Sequence, residues 1–271
     1  MIFLLFFLFL LVQPALADQN WTRQAQQAIV LEKASKLAEA EALWLQLIEE
    51  CTRKKLTVEL SQSYFYLGRV YSRGRSWDQA ERWLLRAREG GQDEPSWTAL
   101  VDLQLGLNAI EQRQFSLAAK LLGQARLAAQ QAQDLEIELR ALAPLADVLA
   151  SERRWSEAAD LYSELASHQR KVNSEQLPMT LYLMALQQEY LGQLDTAEKN
   201  FREASVLFGS DPRAQRALSR LALMWFQARE FARAEKIYRE LLSTPAGTPE
   251  DRQGLADCLA AQGRYQQALA L

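Results

Sequence analysis

The chain has 271 residues, with 31 Lys and Arg against 34 Asp and Glu and a net charge of −3. This balance excludes a strongly basic nucleic-acid-binding protein, and a hydrophobic content of 49% excludes a disordered chain. Gly (11) and Pro (7) are scarce, and Leu (47) and Ala (40) far outnumber Val (8) and Ile (6), a composition that favours helices over strands.

The first 17 residues have the pattern of a secretory signal. Residues 2–12 are an unbroken apolar run, and the small-x-small sequence Ala15-Leu16-Ala17 precedes Asp18, although no Lys or Arg comes before the run. A signal peptide needs an apolar core of about 7–15 residues, whereas a transmembrane helix needs about 20. We therefore predict a cleaved signal at 1–17 and an exported protein, periplasmic or extracellular. If the signal is not cleaved, we expect the protein to be anchored in the membrane.

A single sequence pattern recurs seven times in the rest of the chain. It has a small residue, a bulky apolar residue nine positions later, an Ala three beyond that and, in six copies, a large apolar residue four further on. The small residues are Ala28, Gly68, Gly106, Ala146, Ala185, Ala222 and Ala256. The bulky residues are Leu37, Trp77, Phe115, Trp155, Leu194, Phe231 and Tyr265. The recurring alanines are Ala40, Ala80, Ala118, Ala158, Ala197, Ala234 and Ala268. The large residues are Trp44, Leu84, Leu122, Tyr162, Phe201 and Tyr238.

This spacing predicts a pair of antiparallel helices in each copy. The small residue and the recurring Ala allow two helices to approach closely, and the bulky residue closes the turn between them. The large residue fills the groove between neighbouring hairpins. Because each hairpin has apolar surface on two sides, it must be buried by stacking against its neighbours.

The second copy carries the pattern most completely, and through it the chain resembles the tetratricopeptide repeat family. The matching residues are Tyr64, Leu67, Gly68, Tyr71, Ala80, Leu84 and Ala87. The resemblance implies an all-α fold, a right-handed α-solenoid of about seven helical hairpins. We place the repeats at residues 21–54, 61–94, 99–132, 139–172, 178–211, 215–248 and, in part, 249–271. Most start-to-start spacings exceed the family's usual length, as in the variants of kinesin light chains, so helix ends or connections are expected to be longer.

Two places depart from a regular array. Pro144 falls within the first helix of the fourth repeat, where it would either kink the helix or mark a helix that begins late, near Leu142. The chain also stops partway through the last repeat with an apolar end, whereas such arrays usually finish with a polar capping helix. We therefore expect either a fragment of a longer protein or a frayed last helix.

No set of residues predicts catalysis, a cofactor or a metal site. His168 is the only histidine, so a zinc site would lack the ligands that it needs, and we expect a surface position for it. Phosphate-binding glycine loops are absent from the sequence. Cys51 and Cys258 stand far apart without a CxxC motif, and we expect two buried free thiols.

The candidate site is a groove formed by the first helices of the repeats. The resemblance implies that certain positions of these helices line the inner face. The candidates are Phe65, Arg69, Leu100, Leu103, Leu107, Tyr182, Leu186, Leu223 and Phe226. An apolar groove would suit an amphipathic helix or an extended peptide, but the longer repeats could instead turn these residues into the core. The Lys and Asn pair with which some family members bind a terminal carboxylate is missing.

We accordingly predict a non-enzymatic scaffold that binds a protein or peptide partner. Nucleic acid and small-molecule substrates are not expected, and the mature chain is not expected to insert into a membrane. The alternative is a regulatory segment of a longer exported protein whose catalytic domain follows residue 271. The arginines of the second repeat, Arg69, Arg73, Arg75, Arg82, Arg86 and Arg88, form either an anion-binding patch or an ordinary solvated face.

Overall fold

A computed structural model describes residues 18–91, 93–243 and 247–271. The predicted signal at residues 1–17 lies outside the described residues, as does Pro245. The described residues form fourteen α-helices and no β-strand, which confirms the all-α prediction. They divide into two compact units, one ending at residue 141 and the other beginning at residue 142, with the division inside the seventh helix.

The first unit is a stack of helical hairpins. Its helices are α1 (Gln19–Lys33), α2 (Leu37–Lys54), α3 (Thr57–Arg73), α4 (Trp77–Gly90), α5 (Pro95–Glu111), α6 (Phe115–Ala132) and the first half of α7 (Leu135–Ser151). Each helix from α1 to α5 packs against the next along the chain, and the first helices of adjacent hairpins, α1 with α3 and α3 with α5, also touch.

The second unit repeats this arrangement. It contains the second half of α7, followed by α8 (Trp155–Lys171), α9 (Leu177–Tyr190), α10 (Leu194–Phe208), α11 (Pro212–Gln227), α12 (Phe231–Leu242), α13 (Pro249–Ala261) and α14 (Tyr265–Leu269). Consecutive helices from α8 to α14 pack against one another, and α11 also touches α13. The stacked hairpins confirm the α-solenoid class.

The recurring alanines, except the last, are buried in the core. The first six of them, from Ala40 to Ala234, are completely inaccessible to solvent, whereas Ala268 in the last hairpin is half-buried. Every bulky residue of the pattern is the first residue of a second helix, from Leu37 in α2 to Tyr265 in α14. The recurring pattern therefore marks both the start of each second helix and the point where it touches its partner.

The small residue and the large residue of a hairpin are matched in shape. Where the small residue is Gly68 or Gly106, a Cβ atom would lie 2.7 Å from the Cγ atom of Leu84 or Leu122, respectively. Such a distance is too short for two carbon atoms. In the four other hairpins with both positions, the small residue is Ala and the large residue is aromatic. The branched leucine therefore requires glycine opposite it, because a close-packed interior has no room for the additional methyl group of alanine.

The loop within each hairpin has the same backbone geometry in all seven copies. Each loop is three residues long, and its middle residue has a positive φ angle: Ser35, Arg75, Arg113, Arg153, Gly192, Arg229 and Gly263. In each loop the N–H of the following residue donates to a carbonyl five positions back, as from Gln114 to Ala109 at 2.9 Å. This geometry ends a helix with a Schellman turn, in which glycine is usually preferred.

We expect Arg113→Gly to stabilise the protein by about 0.5–1 kcal/mol, because a residue with a Cβ atom is strained in the left-handed conformation. Arg113 is exposed and has φ of 59°. Urea unfolding would measure the change. The control is Lys120→Gly, at an exposed position inside α6, which is expected to destabilise by about 1 kcal/mol. A lower stability for Arg113→Gly would show that the arginine makes a favourable contact at the turn.

The helix that contains Pro144 begins at Leu135. The alternative of a late start near Leu142 was therefore wrong, and the proline lies inside the helix. A proline within a helix removes the one hydrogen bond that its own N–H would donate. The other residues of the helix keep their N–H donors, so the turns before Pro144 still form. The kink remains a prediction.

The longer repeat spacing is explained by long first helices. The helices α3, α5 and α7 each have 17 residues and begin four positions before the repeat starts that we predicted, at 57, 95 and 135 instead of 61, 99 and 139. Some connections between hairpins are longer as well, such as residues 172–176. The repeats therefore gain length in both of the places that we expected.

Both cysteines are free and buried, as predicted. Burial raises the pKa of the Cys51 and Cys258 thiols to about 11. We expect neither thiol to react with iodoacetamide at about pH 8 in the folded protein, and both to react in urea, since only the thiolate is nucleophilic. Because the unfolded thiols ionise at lower pH than the folded ones, their contribution to stability should fall as the pH rises from about 9 to about 11. Labelling of the folded chain would contradict this burial.

Candidate functional site

A pocket of about 710 Å³ lies in the first unit, along the first helices of three consecutive hairpins. It is lined by apolar and aromatic side chains of α3 and α5 and of Trp77, namely Phe65, Tyr66, Trp77, Leu100, Leu103, Leu107 and Ile110. Its polar lining comes from α3, α5 and the start of α7, namely Arg69, Ser72, Arg73, Gln104, Asn108, Glu111, Glu136 and Arg140. The size and the mixed lining are typical of a site for part of a peptide or another small group.

The structure brings five of the nine candidate residues together in this pocket. They are Phe65, Arg69, Leu100, Leu103 and Leu107. Phe65, Leu100 and Leu103 are only 2–4% exposed, and Leu107 is half-buried. Phe65, Leu100 and Leu103 therefore also belong to the core and present only a small surface to the pocket.

The other four candidates lie in the second unit. Tyr182, Leu186 and Phe226 are half-buried and pack against the core of that unit, whereas Leu223 is exposed. An ion pair lies among them: the Arg220 guanidinium donates to both Glu189 oxygens at 2.7 and 3.0 Å. We treat these residues as a separate surface, because the pocket involves only the first unit.

Beside the pocket, Glu32 of α1 holds two arginines of α3. Its Oε1 atom lies 2.9 Å from Arg69 Nη2 and 2.9 Å from Arg73 Nε, and Arg73 Nη1 also donates to the Glu32 carbonyl at 3.1 Å. Glu32 is completely buried, while the side chains of Arg69 and Arg73 are 16% and 46% exposed. The two guanidinium groups are thereby fixed at the pocket by a carboxylate that the solvent does not reach.

Aromatic rings add a second support for Arg69. Its guanidinium carbon lies 5.3 Å from the centre of the Tyr66 ring and 6.0 Å from that of Phe65, distances at which a cation is attracted to the ring face. Burial raises the pKa of the Tyr66 hydroxyl, which keeps this ring neutral. The position of Arg69 is therefore determined by one ion pair and two rings.

A chain of amide and hydroxyl groups crosses the pocket from α5 to α3. Gln104 Nε2 donates to Asn108 Oδ1 at 3.1 Å, Asn108 Nδ2 donates to Ser72 Oγ at 2.8 Å, and Ser72 Oγ donates to the Gly68 carbonyl at 2.9 Å. These bonds hold the polar side chains in fixed orientations. They leave donors and acceptors of Gln104 facing the pocket, where a peptide backbone could bind.

The arginines of the second repeat do not form a single patch. Arg69 and Arg73 face Glu32, whereas Arg88 lies 2.9 Å from the buried carboxylate of Asp102. Burial raises the pKa of Asp102, although the neighbouring Arg88 lowers it in part. Arg86 lies over the Trp83 ring at 4.7 Å. Arg69 and Arg73 are the two arginines of the second repeat that line the pocket.

No metal site was found in the part of the chain that the structure describes, since it holds no group of three His, Cys, Asp or Glu side chains placed around one point. The single histidine, His168, is half-buried in the last turn of α8. Among the described helices, none has the length and hydropathy needed to span a bilayer.

Sequence reasoning missed Glu32. It lies 37 and 41 positions before its two arginine partners, which is close to one repeat length. Residues one repeat apart occupy adjacent first helices, so opposite charges at that spacing were the available signal.

Comparison with known families decides what kind of repeat this is. Residues 182–251 match the family model described as tetratricopeptide repeat. The chain contains tetratricopeptide repeats. This match lies in the second unit, and the same hairpin geometry continues through the tetratricopeptide repeats of the first unit. No curated protein matches the sequence at a significant level.

Solved structures share the fold of these tetratricopeptide repeats at low sequence identity. A signal transduction ATPase with numerous domains from Pyrococcus horikoshii, which has a tetratricopeptide repeat sensor, matches at 15% identity over 92% of this chain with a TM-score of 0.69. The match spans only 40% of that protein. The pilF protein of Pseudomonas aeruginosa matches at 15% identity over 92% of this chain and 96% of its own, with a TM-score of 0.59. A tetratricopeptide repeat protein of Parabacteroides merdae matches at 13% identity over 93% of this chain and 90% of its own, with a TM-score of 0.58.

Proposed function

We propose that this protein is a non-enzymatic scaffold that binds a peptide segment of a partner protein in the pocket of the first unit. The observation that carries the proposal is the pocket itself, which joins a mostly buried apolar lining to fixed polar groups. Such a combination allows apolar side chains to give affinity while hydrogen bonds set orientation. The tetratricopeptide repeat family, whose members commonly bind proteins or peptides, supports the same conclusion.

The test uses peptides selected from a random displayed library on the folded protein. We expect selected peptides to lose about tenfold or more in affinity for Leu107→Asp, because a carboxylate at the half-buried Leu107 would be placed against the apolar lining. The control is Leu127→Asp, where the leucine is 61% exposed on α6 and outside the pocket lining. If the peptides bind both variants with the same affinity as the unchanged protein, the pocket is not the binding site.

Export is a second part of the proposal. The support comes from the sequence alone: the apolar run at 2–12, followed by Ala15-Leu16-Ala17. In a secretion-competent host, we expect the mass of the purified protein to correspond to a chain that begins at Asp18. An intact first residue in a cytosolic fraction would contradict export.

An alternative is that the chain acts as a regulatory segment within a longer protein. The Pyrococcus horikoshii protein favours it, since its tetratricopeptide repeat sensor is part of a longer, multidomain ATPase. The reading frame beyond residue 271 distinguishes the two proposals. A catalytic domain there would support the alternative, and a stop codon would support the scaffold.

A further inference from the structure

The chemistry of the pocket narrows the class of partner. We propose that the peptide bound there carries an acidic side chain next to a bulky apolar one, with the carboxylate on Arg69 and Arg73 and the apolar side chain against Leu107 and Ile110. This inference rests on the proposed function, because it names the ligand chemistry of the same pocket.

The cluster of Glu32, Arg69 and Arg73 is positively charged. Two guanidinium groups share one carboxylate oxygen of Glu32, so this cluster keeps a net charge of +1. Glu32 is completely buried and approaches the arginines from α1, whereas both arginines line the pocket. The excess positive charge is therefore available on the pocket side.

Arg69 and Arg73 have more N–H donors than their described contacts use. A guanidinium group has five N–H donors. Among the described contacts, Arg69 uses only Nη2 for an ion pair, and Arg73 uses Nε and Nη1. Several N–H groups thus remain for a ligand, and a planar carboxylate fits two parallel donors.

Arg69 and Arg73 are held in place before a ligand arrives. Arg69 lies over the Tyr66 and Phe65 rings, and both arginines are bonded to Glu32. Fixing a long side chain in advance lowers the entropy lost on binding. A carboxylate bound here would therefore gain more than at a mobile surface arginine.

The other charges of the pocket define where the acidic side chain cannot lie. Arg140 lies 3.7 Å from Glu136, so these two groups largely balance each other. Glu111 is exposed at the end of α5 and would repel a ligand carboxylate. We therefore place the ligand's acidic group on the α3 side and its apolar group on the α5 side, short of Glu111.

The experiment is a double-mutant cycle with a peptide selected on the pocket that contains Asp or Glu, and with its Asn or Gln counterpart. We expect the amide peptide to bind about tenfold more weakly than the acidic one. Arg73→Gln should remove most of that difference, while Glu111→Gln should increase the affinity of the acidic peptide. The matched control is Arg82→Gln on α4, an exposed arginine outside the pocket, which should leave the difference unchanged.

The outcomes separate this inference from the proposed function. If peptides require Leu107 but the acidic and amide forms bind equally to all variants, the charge inference is wrong and the scaffold proposal stands. If the selected peptides are insensitive to Leu107→Asp, both proposals fail. Circular dichroism of each variant shows whether the fold is kept, and Arg73→Lys, which retains the charge, should preserve part of the preference if Arg73→Gln lowers stability.

Discussion

Ala40→Leu is expected to destabilise the protein by about 2–3 kcal/mol, because its side chain has no room to grow. Ala40 is completely inaccessible and belongs to the core cluster of the first hairpin together with Ala28 and Trp44. A leucine would force α1 and α2 apart or push neighbouring side chains out of their preferred rotamers. Urea unfolding followed by far-UV circular dichroism measures the loss.

The control for this change lies two positions away. Ala38 is exposed in the first turn of α2, and Ala38→Leu should change stability by no more than about 0.5 kcal/mol. The pair compares the same substitution in one helix at a contact and at the surface. Equal effects of the two substitutions would mean that the recurring alanine is not a spacing residue.

Glu32→Gln should destabilise the protein by about 2 kcal/mol, since it leaves two arginines without their shared carboxylate. We expect a smaller loss of stability than for breaking a fully buried ion pair, because Arg73 is 46% exposed and its guanidinium group can turn towards solvent. Oε2 of Glu32 is buried without a hydrogen-bond partner among the described residues, so the amide group of glutamine gains no compensating hydrogen bond there. Thermal and urea unfolding would both report the net change.

The matched control is Glu39→Gln. Glu39 pairs with Lys36 at 3.2 Å, and both side chains are more than half exposed. Such a surface pair contributes little, so we expect a change below about 0.5 kcal/mol. If Glu32→Gln were as mild as Glu39→Gln, the buried carboxylate would not be what fixes the two arginines.

The fold could be predicted from the sequence because its signal is local and repeated. The recurring alanines and the large residues after them recur at helical spacing, and six of the seven alanines are completely buried in the structure. A hairpin contacts mainly its neighbours, so each copy of the pattern repeats the same local information. Every second helix begins at the bulky residue of the pattern, three positions before the recurring alanine, and this exact start was not predicted.

Other local features could not be predicted. The strained middle residue of the hairpin loops is Arg in four of seven copies and Gly in two, so composition gave no indication of a left-handed conformation there. The late start proposed for the helix with Pro144 was wrong, because a proline removes one backbone hydrogen bond but does not prevent a helix from forming around it. Helix ends depend on capping and packing, which the repeat pattern does not specify.

The repeat, its helical hairpins and the first-helix positions from which a groove could be built all follow from the sequence. The packing of the helices was needed to show that five of the nine candidates meet in one pocket, that three of them are mostly buried, and that Glu32 holds Arg69 and Arg73 beside it. The reason is physical. Periodicity specifies which face of a helix is apolar, but the pairing of a buried charge depends on how adjacent helices are placed across a distance of one repeat.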